Sequence, residues 1–585
     1  MLKSALLLPL ALLAAGCGPG ASERFAKLSE DFVYGSLALS PVSATGVGLH
    51  VYNGMKLDDM LDDMSPSGIE KQRSFYRDFQ KRLQAIGPGR LNPEELADRK
   101  IIEDQIALSL LDLDDVQSYK HNPTTYVEAF GNAMFNPFVL EYAPLPQRLS
   151  SIIARLRDTP RYLERAEANL VSAPEIWTKV AIEENEGNLR LVGTTIRKAV
   201  PNAMIGEYDA ALRPAFDALV KFHKFLIENL AEHPGAGWRL GKALYERKYG
   251  LVLGAGIEPQ SLLRQAESDM TQIRGRMMEL ALPLHRRDFP AHGEHLDLSG
   301  DDRQNRIIGE VLDRIAQRHA TPAAYLDEAR AGLEETRAFV RGKHLLTLPA
   351  SSNLNVIPTP EFMRGVYSVG GFNPAPALEP RLGAFYWVTP VPEDWPKERI
   401  ESKLREYNYY GMKLLTIHEA MPGHYVQFEF ANGVQPKSRR LLRAVFGSGT
   451  YIEGWAVYAT QMMLDEGYLD HAPEMALSFA KHELRVLANA ILDIRLQSGD
   501  MTDRQALYLM IRRTFQEEEK ATGKLQRAKL TSCQLPVYYA GFRGWLRIRD
   551  AYRKAKGTAY TLAGFHDRAL QEGAVPLSSL EALIQ

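Results

Sequence analysis

Leu414-Leu415-Thr416-Ile417-His418-Glu419-Ala420-Met421-Pro422-Gly423-His424-Tyr425 ends an amphipathic stretch that begins near Pro396. The common zinc-hydrolase signature, His-Glu-x-x-His on a helix, sets two imidazoles one turn apart with the Glu beside them. Here the second His comes two residues late, behind Pro422-Gly423. A straight helix advances about 100° per residue, so positions six apart point roughly 240° away from one another. Either His418 and His424 do not share a centre, or the helix breaks between them. Pro422 removes a backbone donor and Gly423 tolerates unusual dihedrals, so the stretch carries its own cause for a break. A kink or bulge over 421–423 is what a metal site requires.

A third ligand belongs on a second helix. Tyr451-Ile452-Glu453-Gly454-Trp455-Ala456-Val457-Tyr458 supplies Glu453, 29 residues after His424, among apolar and aromatic neighbours. An unpaired carboxylate in such company is costly, and a divalent metal would be its partner. Two His, one Glu and an open position form the ligand set of catalytic rather than structural zinc. Glu419 would then be the base that takes a proton from metal-activated water. The plainer alternatives are a surface His-Glu pair, and a core carboxylate at Glu453 bonded to Trp455 or a Tyr.

Outward from this segment, most of the chain has helical spacing. The stretches 66–87, 92–114, 146–172, 175–200, 205–232 and 259–282 are amphipathic with period 3.6. Asn92-Pro93-Glu94-Glu95 is a helix start, with Asn as cap, Pro at the first helical position and acids in the first turn. From 343 to 392 the chain turns to Pro, Gly, Val and aromatics, and Leu382-Gly383-Ala384-Phe385-Tyr386-Trp387-Val388-Thr389-Pro390 has strand character. The expected fold is mainly α, with a small β-sheet or edge strand near 345–392. A length of 585 residues allows three or four domains at roughly 100–200 residues each. We divide it into an N-terminal helical region 23–342 and a metal-site region 343–585, or one continuous body 23–585.

The N-terminus reads as an export signal. Met1-Leu2-Lys3 is followed by an apolar run over 4–15, too short for the ~20 residues of a bilayer span. It ends in Leu13-Ala14-Ala15-Gly16-Cys17, which resembles a lipobox: signal peptide 1–16, lipid on Cys17, and a tether over 17–22. The usual Leu three residues before the cysteine is Ala14 here, with Leu13 one further out. With only Cys17 and Cys533 present, an acylated Cys17 leaves no intrachain disulfide. Gly18 stands where Asp would signal inner-membrane retention, so the expected place in a Gram-negative envelope is the periplasmic face of the outer membrane. A net charge of −2 and 24% charged residues point away from nucleic acid.

The pattern His418-Glu419-x-x-Pro422-Gly423-His424, followed by Glu453-Gly454-Trp455-Ala456-x-Tyr458, resembles the bacterial family of unknown function numbered 885. That family in turn resembles gluzincin peptidases such as angiotensin-converting enzyme, thimet oligopeptidase and the thermostable carboxypeptidase group. The match is specific over about residues 360–545. It implies a helical body around a deep cleft, one zinc ion per chain on His418, His424 and Glu453, and hydrolysis of peptides. The segment from Arg485 to Gln497 resembles one ending in Asp-x-x-Leu-His, which makes Asp493 a carboxylate that orients a ligand His. Gln497 replaces the family's His and puts an acid–base role there in doubt. Gln534-Leu535-Pro536-Val537-Tyr538-Tyr539-Ala540-Gly541 resembles Gln-x-x-x-Tyr-x-x-Gly, selecting Tyr538 as an oxyanion donor with Tyr539 as its rival; both could instead pack the core. Arg381 to Tyr386 resembles a family segment near the metal. We expect 383–388 to be an edge strand that pairs with substrate, with Arg381, Tyr386 and Tyr539 as substrate contacts and Gly370-Gly371 on the same rim. Cys533 reads as a buried small hydrophobe rather than a nucleophile.

The expected function is therefore a zinc metallopeptidase in the cell envelope, held to the membrane by its N-terminal lipid. A metal-dependent amidase or esterase on a non-peptide substrate would use the same site. A non-catalytic ligand-binding lipoprotein would have no chemical need for Glu419.

Overall fold

Asn92 caps the helix Pro93–Leu111: its side chain accepts from the Glu95 amide at 2.9 Å, and Glu95 returns a bond to the Asn92 amide at 2.9 Å. This reciprocal box satisfies two of the donors that every helix start leaves open. The computed structural model describes residues 20–585 except 233, 236, 255, 350–352, 361–363 and 365–368. The signal peptide 1–16 and Cys17 lie outside the described residues. The first helix begins at Ala21, within the expected tether 17–22, and Phe25, Leu28 and Phe32 bury one of its faces.

The architecture is mainly α, as the periodicity predicts. Long helices Pro66–Ile86, Leu145–Asn169, Ile205–Phe225 and Pro259–Asp288 fall where the amphipathic stretches place them. The strands form two small sheets: a hairpin of β1 (Val51–Tyr52) and β2 (Met55–Lys56), and a three-stranded sheet of β3 (Leu354–Pro358), β4 (Gly370–Asn373) and β5 (Ala384–Val388). The strand order is β3-β5-β4, with β3 parallel and β4 antiparallel to β5. This corrects the expectation for 383–388: the stretch is the central strand, not an edge. Its composition explains the position. Successive strand side chains face opposite sides, and Ala384, Tyr386 and Val388 enter the largest apolar cluster while Phe385 and Trp387 pack on a second. A strand apolar on both faces belongs inside a sheet.

That largest cluster joins helices within 242–343 to those beyond 397, so the change in composition at 343 is not a packing boundary. A second cluster is built by residues 42–230 with Trp387, and a third joins the first helix to Leu441 and Leu442. Among the described residues no helix is long and apolar enough to cross a membrane.

Two helices carry much of the site, Gly449–Asp465 and Pro536–Lys556. They approach backbone to backbone at Gly454 and Gly541. A Cβ on Gly454 would lie 2.4 Å from the Gly541 carbonyl carbon, and one on Gly541 would lie 2.1 Å from the Thr450 oxygen. Only glycine permits this approach. Trp455 and Trp545 then pack beside the crossing with ring centroids 5.0 Å apart.

Candidate metal centre

The helix Tyr409–Glu419 stops one residue after His418, and a new helix, His424–Ala431, starts at the second His. Between them the chain folds back: the Met421 amide donates to Thr416 and the Gly423 amide to Ile417 at 2.9 Å. A Cβ on Gly423 would meet the His418 carbonyl oxygen at 1.9 Å, so the turn demands glycine. The predicted break is therefore present, at the expected residues. It is pinned from the second helix, where the Trp455 indole N–H donates to the Pro422 and Gly423 carbonyls at 3.0 and 3.2 Å.

The consequence is convergence. The His418 and His424 rings stand 4.8 Å apart at 82°, and Glu453 Oε2 lies 3.5 Å from Nε2 of each. Glu453 Oε2 is buried and has no hydrogen-bond partner among the described residues. Burial alone would raise its carboxyl, but the two imidazoles hold it well below the usual carboxylate range, so it stays ionised. Ligands about 2.1 Å from a tetrahedral zinc ion lie roughly 3.4 Å from one another. The spacing of these atoms, their type and the orphaned oxygen all fit such an ion.

Glu419 Oε2 accepts from the Phe372 amide on β4 at 3.0 Å, and its charge acts on His424. The Phe372 ring lies along His424 at 6.4 Å. The strand that borders the site is thus β4, with Gly370-Gly371 on it, and not 383–388. Tyr386 is fully buried on the central strand, its hydroxyl 3.2 Å from Thr416 Oγ1, so it fastens the His418 helix to the sheet. Arg381 is exposed in the turn before β5.

The two tyrosines separate cleanly. Tyr538 stacks on His418 at 6.4 Å and 14°. Burial, then the Glu453 charge, raises its hydroxyl pKa, so it is a protonated donor beside the ligands. Tyr539 faces away. Its hydroxyl donates to Asp269 at 2.5 Å in a different cavity of about 470 Å³. Asp493 also departs from expectation. Among the described residues it bonds no imidazole; its Oδ1 accepts from the Tyr245 hydroxyl at 2.8 Å and the Cys533 amide at 3.0 Å, which holds the chain entering the Tyr538 helix. Gln497 is structural as well, accepting from the Leu240 amide and donating to the Ala528 and Thr531 carbonyls. Cys533 is buried, and burial raises its thiol pKa, as befits an unreactive cysteine.

One residue at the centre had no sequence signal. His482 lies 6.2 Å from the His418 ring, and its Nδ1 is 2.8 Å from the Arg485 guanidinium. Arg can only donate, so Nδ1 accepts and Nε2 carries the proton. That buried Nε2 has no partner among the described residues. Burial, then the nearby Arg485, keeps the ring neutral. The Lys524 amine is likewise pushed well down by burial and then by Arg485, Arg527 and Lys520, with Glu453 opposing. The guanidinium groups of Arg485 and Arg527 therefore lie on the flank of the centre that Glu453 occupies.

A family model described as "Bacterial protein of unknown function (DUF885)" matches residues 41–584. A structure from Shewanella oneidensis, described as a "putative lipoprotein of unknown function", is 29% identical with a TM-score of 0.79, over 96% of this chain and 99% of its own. One from Colwellia psychrerythraea, also described as a "putative lipoprotein", is 17% identical with a TM-score of 0.78, over 97% and 98%, and shares the fold. No curated protein matches.

Proposed function

This chain belongs to the DUF885 family, and we propose that it is a zinc-dependent hydrolase that cleaves peptides in the cell envelope. The observation that carries the reading is the convergence of His418, His424 and an ionised Glu453 whose Oε2 has no hydrogen-bond partner among the described residues. These three residues would hold the ion. The chemistry supplied by bound zinc is Lewis acidity, which polarises a carbonyl and makes water more acidic. Glu419, held by the β4 backbone beside the ligands, takes the proton from the attacking water. Tyr538 and the Nε2–H of His482 are protonated donors for charge that develops on the substrate oxygen. The cationic flank of Arg485 and Arg527 suits a peptide with a free C-terminal carboxylate.

The same residues would serve an amidase or esterase on a non-peptide substrate, and a non-catalytic binding role would leave Glu419 without chemistry to do. The lipobox-like segment at Cys17, together with the lipoprotein descriptions of two similar structures, supports a lipid anchor. The test pairs two substitutions. Glu453→Ala removes a ligand and should lower zinc content and melting temperature together. Glu419→Gln should keep zinc and fold while turnover drops about 10²–10⁴-fold. Near-normal turnover in Glu419→Gln refutes the mechanism; full zinc in Glu453→Ala refutes the ligand set.

A further inference from the structure

A second convergence lies well away in sequence, where the helix Pro259–Asp288 turns into the helix Gly300–Ala316. His285, His292 and His295 all aim one ring nitrogen at the same atom, Glu310 Oε2, at 2.8, 2.9 and 3.0 Å. We propose that these four residues form a second divalent-metal site, structural in type, that clamps the two helices together.

Three observations support it independently of the first centre. The first is valence. A carboxylate oxygen offers two lone pairs, and three imidazoles crowd this one, so hydrogen bonding alone leaves one of them in excess. A cation among four lone-pair donors accommodates all of them. The ligand atoms lie within 4.8 Å of one another. The second is burial. The His285 side chain is 1% exposed yet carries Nε2 into the cluster. Phe289 stacks against His285 at 5.3 Å and His292 at 5.1 Å, fixing both rings. The third is the backbone. Gly293, Glu294 and His295 take φ of 58°, 57° and 48° in succession, two of them non-glycine residues in the left-handed region. Such dihedrals persist only where surrounding structure enforces them. Here they turn His295 back toward Glu310. Arg286 and Arg303 both bind the Glu294 carboxylate and brace the turn. Arg306 lies 3.9 Å from Oε1, the other oxygen of Glu310, and leaves Oε2 to the cluster.

Three imidazoles and a carboxylate select zinc or a neighbouring transition ion over magnesium or calcium. Four protein ligands fill a tetrahedron and leave no open position, the mark of a structural site. The turn it would secure is mostly exposed and has little apolar packing of its own, so the ion would supply what a core does elsewhere.

The test is metal stoichiometry on the full chain, stripped by chelator and reloaded with zinc. Wild type should bind two ions. Glu453→Ala should bind one. His292→Ala/His295→Ala should also bind one, keep its turnover, and melt several degrees lower only when zinc is present. The milder His292→Asn, at a side chain 42% exposed, guards against misfolding and should weaken binding of one ion about tenfold or more. If the His292/His295 variant and His292→Asn both bind zinc as wild type does, or if Glu453→Ala binds none, the second site does not exist. If Glu453→Ala and wild type each bind one ion and the His pair variant binds none, the second site stands and the catalytic one fails.

Discussion

The Gly423 Cα sits so close to the carbonyl oxygen of His418 that a methyl group there would lie 1.9 Å from it. The contact closes the turn that brings His424 back to His418, and Trp455 locks it from the helix that carries Glu453. Ligand position and helix break are one structure.

Gly423→Ala should therefore act on the metal before the fold. The backbone must move, and a displacement on the order of 1 Å at a reacting group costs about 10²-fold in rate. Zinc affinity should weaken about tenfold or more while circular dichroism stays near wild type. Zinc titration by competition with a chelator checks this; unchanged affinity would remove the turn from the argument.

Tyr538→Phe and Tyr539→Phe should separate. The first should lower turnover by about 10²-fold with zinc and stability intact, since its hydroxyl lies with the ligands. The second removes a bond to Asp269 and should cost about 1 kcal/mol of stability with turnover unchanged. Steady-state kinetics beside thermal melts decide it, and the reverse pattern would reassign the donor.

Asp493 carries a pH signature. Burial pushes its carboxyl up to about 6 from an ordinary 3.8, against the Tyr245 hydroxyl and Cys533 amide that favour the ionised form. The folded state thus holds this proton more tightly than the unfolded state. Its contribution is complete below 3.8 and is lost as pH rises toward 6, up to roughly 3 kcal/mol. Asp493→Asn should gain melting temperature relative to wild type across that window, with a flat difference above it and unchanged zinc content. A large loss of zinc would restore a role in orienting a ligand.

Substrate ends should matter. If Arg485 and Arg527 receive a terminal carboxylate, amidating a cleaved peptide should lower kcat/KM about tenfold or more, ~1.4 kcal/mol. Arg527→Met should shrink that preference. Equal turnover of acid and amide would assign the cations to another task.

By itself the sequence determined the helical body, the helix starts, the break at Pro422-Gly423 and the residue types gathered at His418, His424 and Glu453. These are local matters: hydrogen bonds span four residues, and a missing donor or side chain acts where it stands. The tertiary structure alone decided the rest. Tyr538 and Tyr539 are neighbours on one helix, and about 100° of rotation sends one to His418 and the other to Asp269. Asp493 found Tyr245, 248 residues away, instead of an imidazole. The 383–388 strand went to the centre of its sheet because two separate apolar clusters needed its two faces. His482, and the ring of His285, His292, His295 and Glu310, have no motif spacing. Their meeting depends on how helices rotate and where a turn takes left-handed dihedrals, which packing across the whole chain sets.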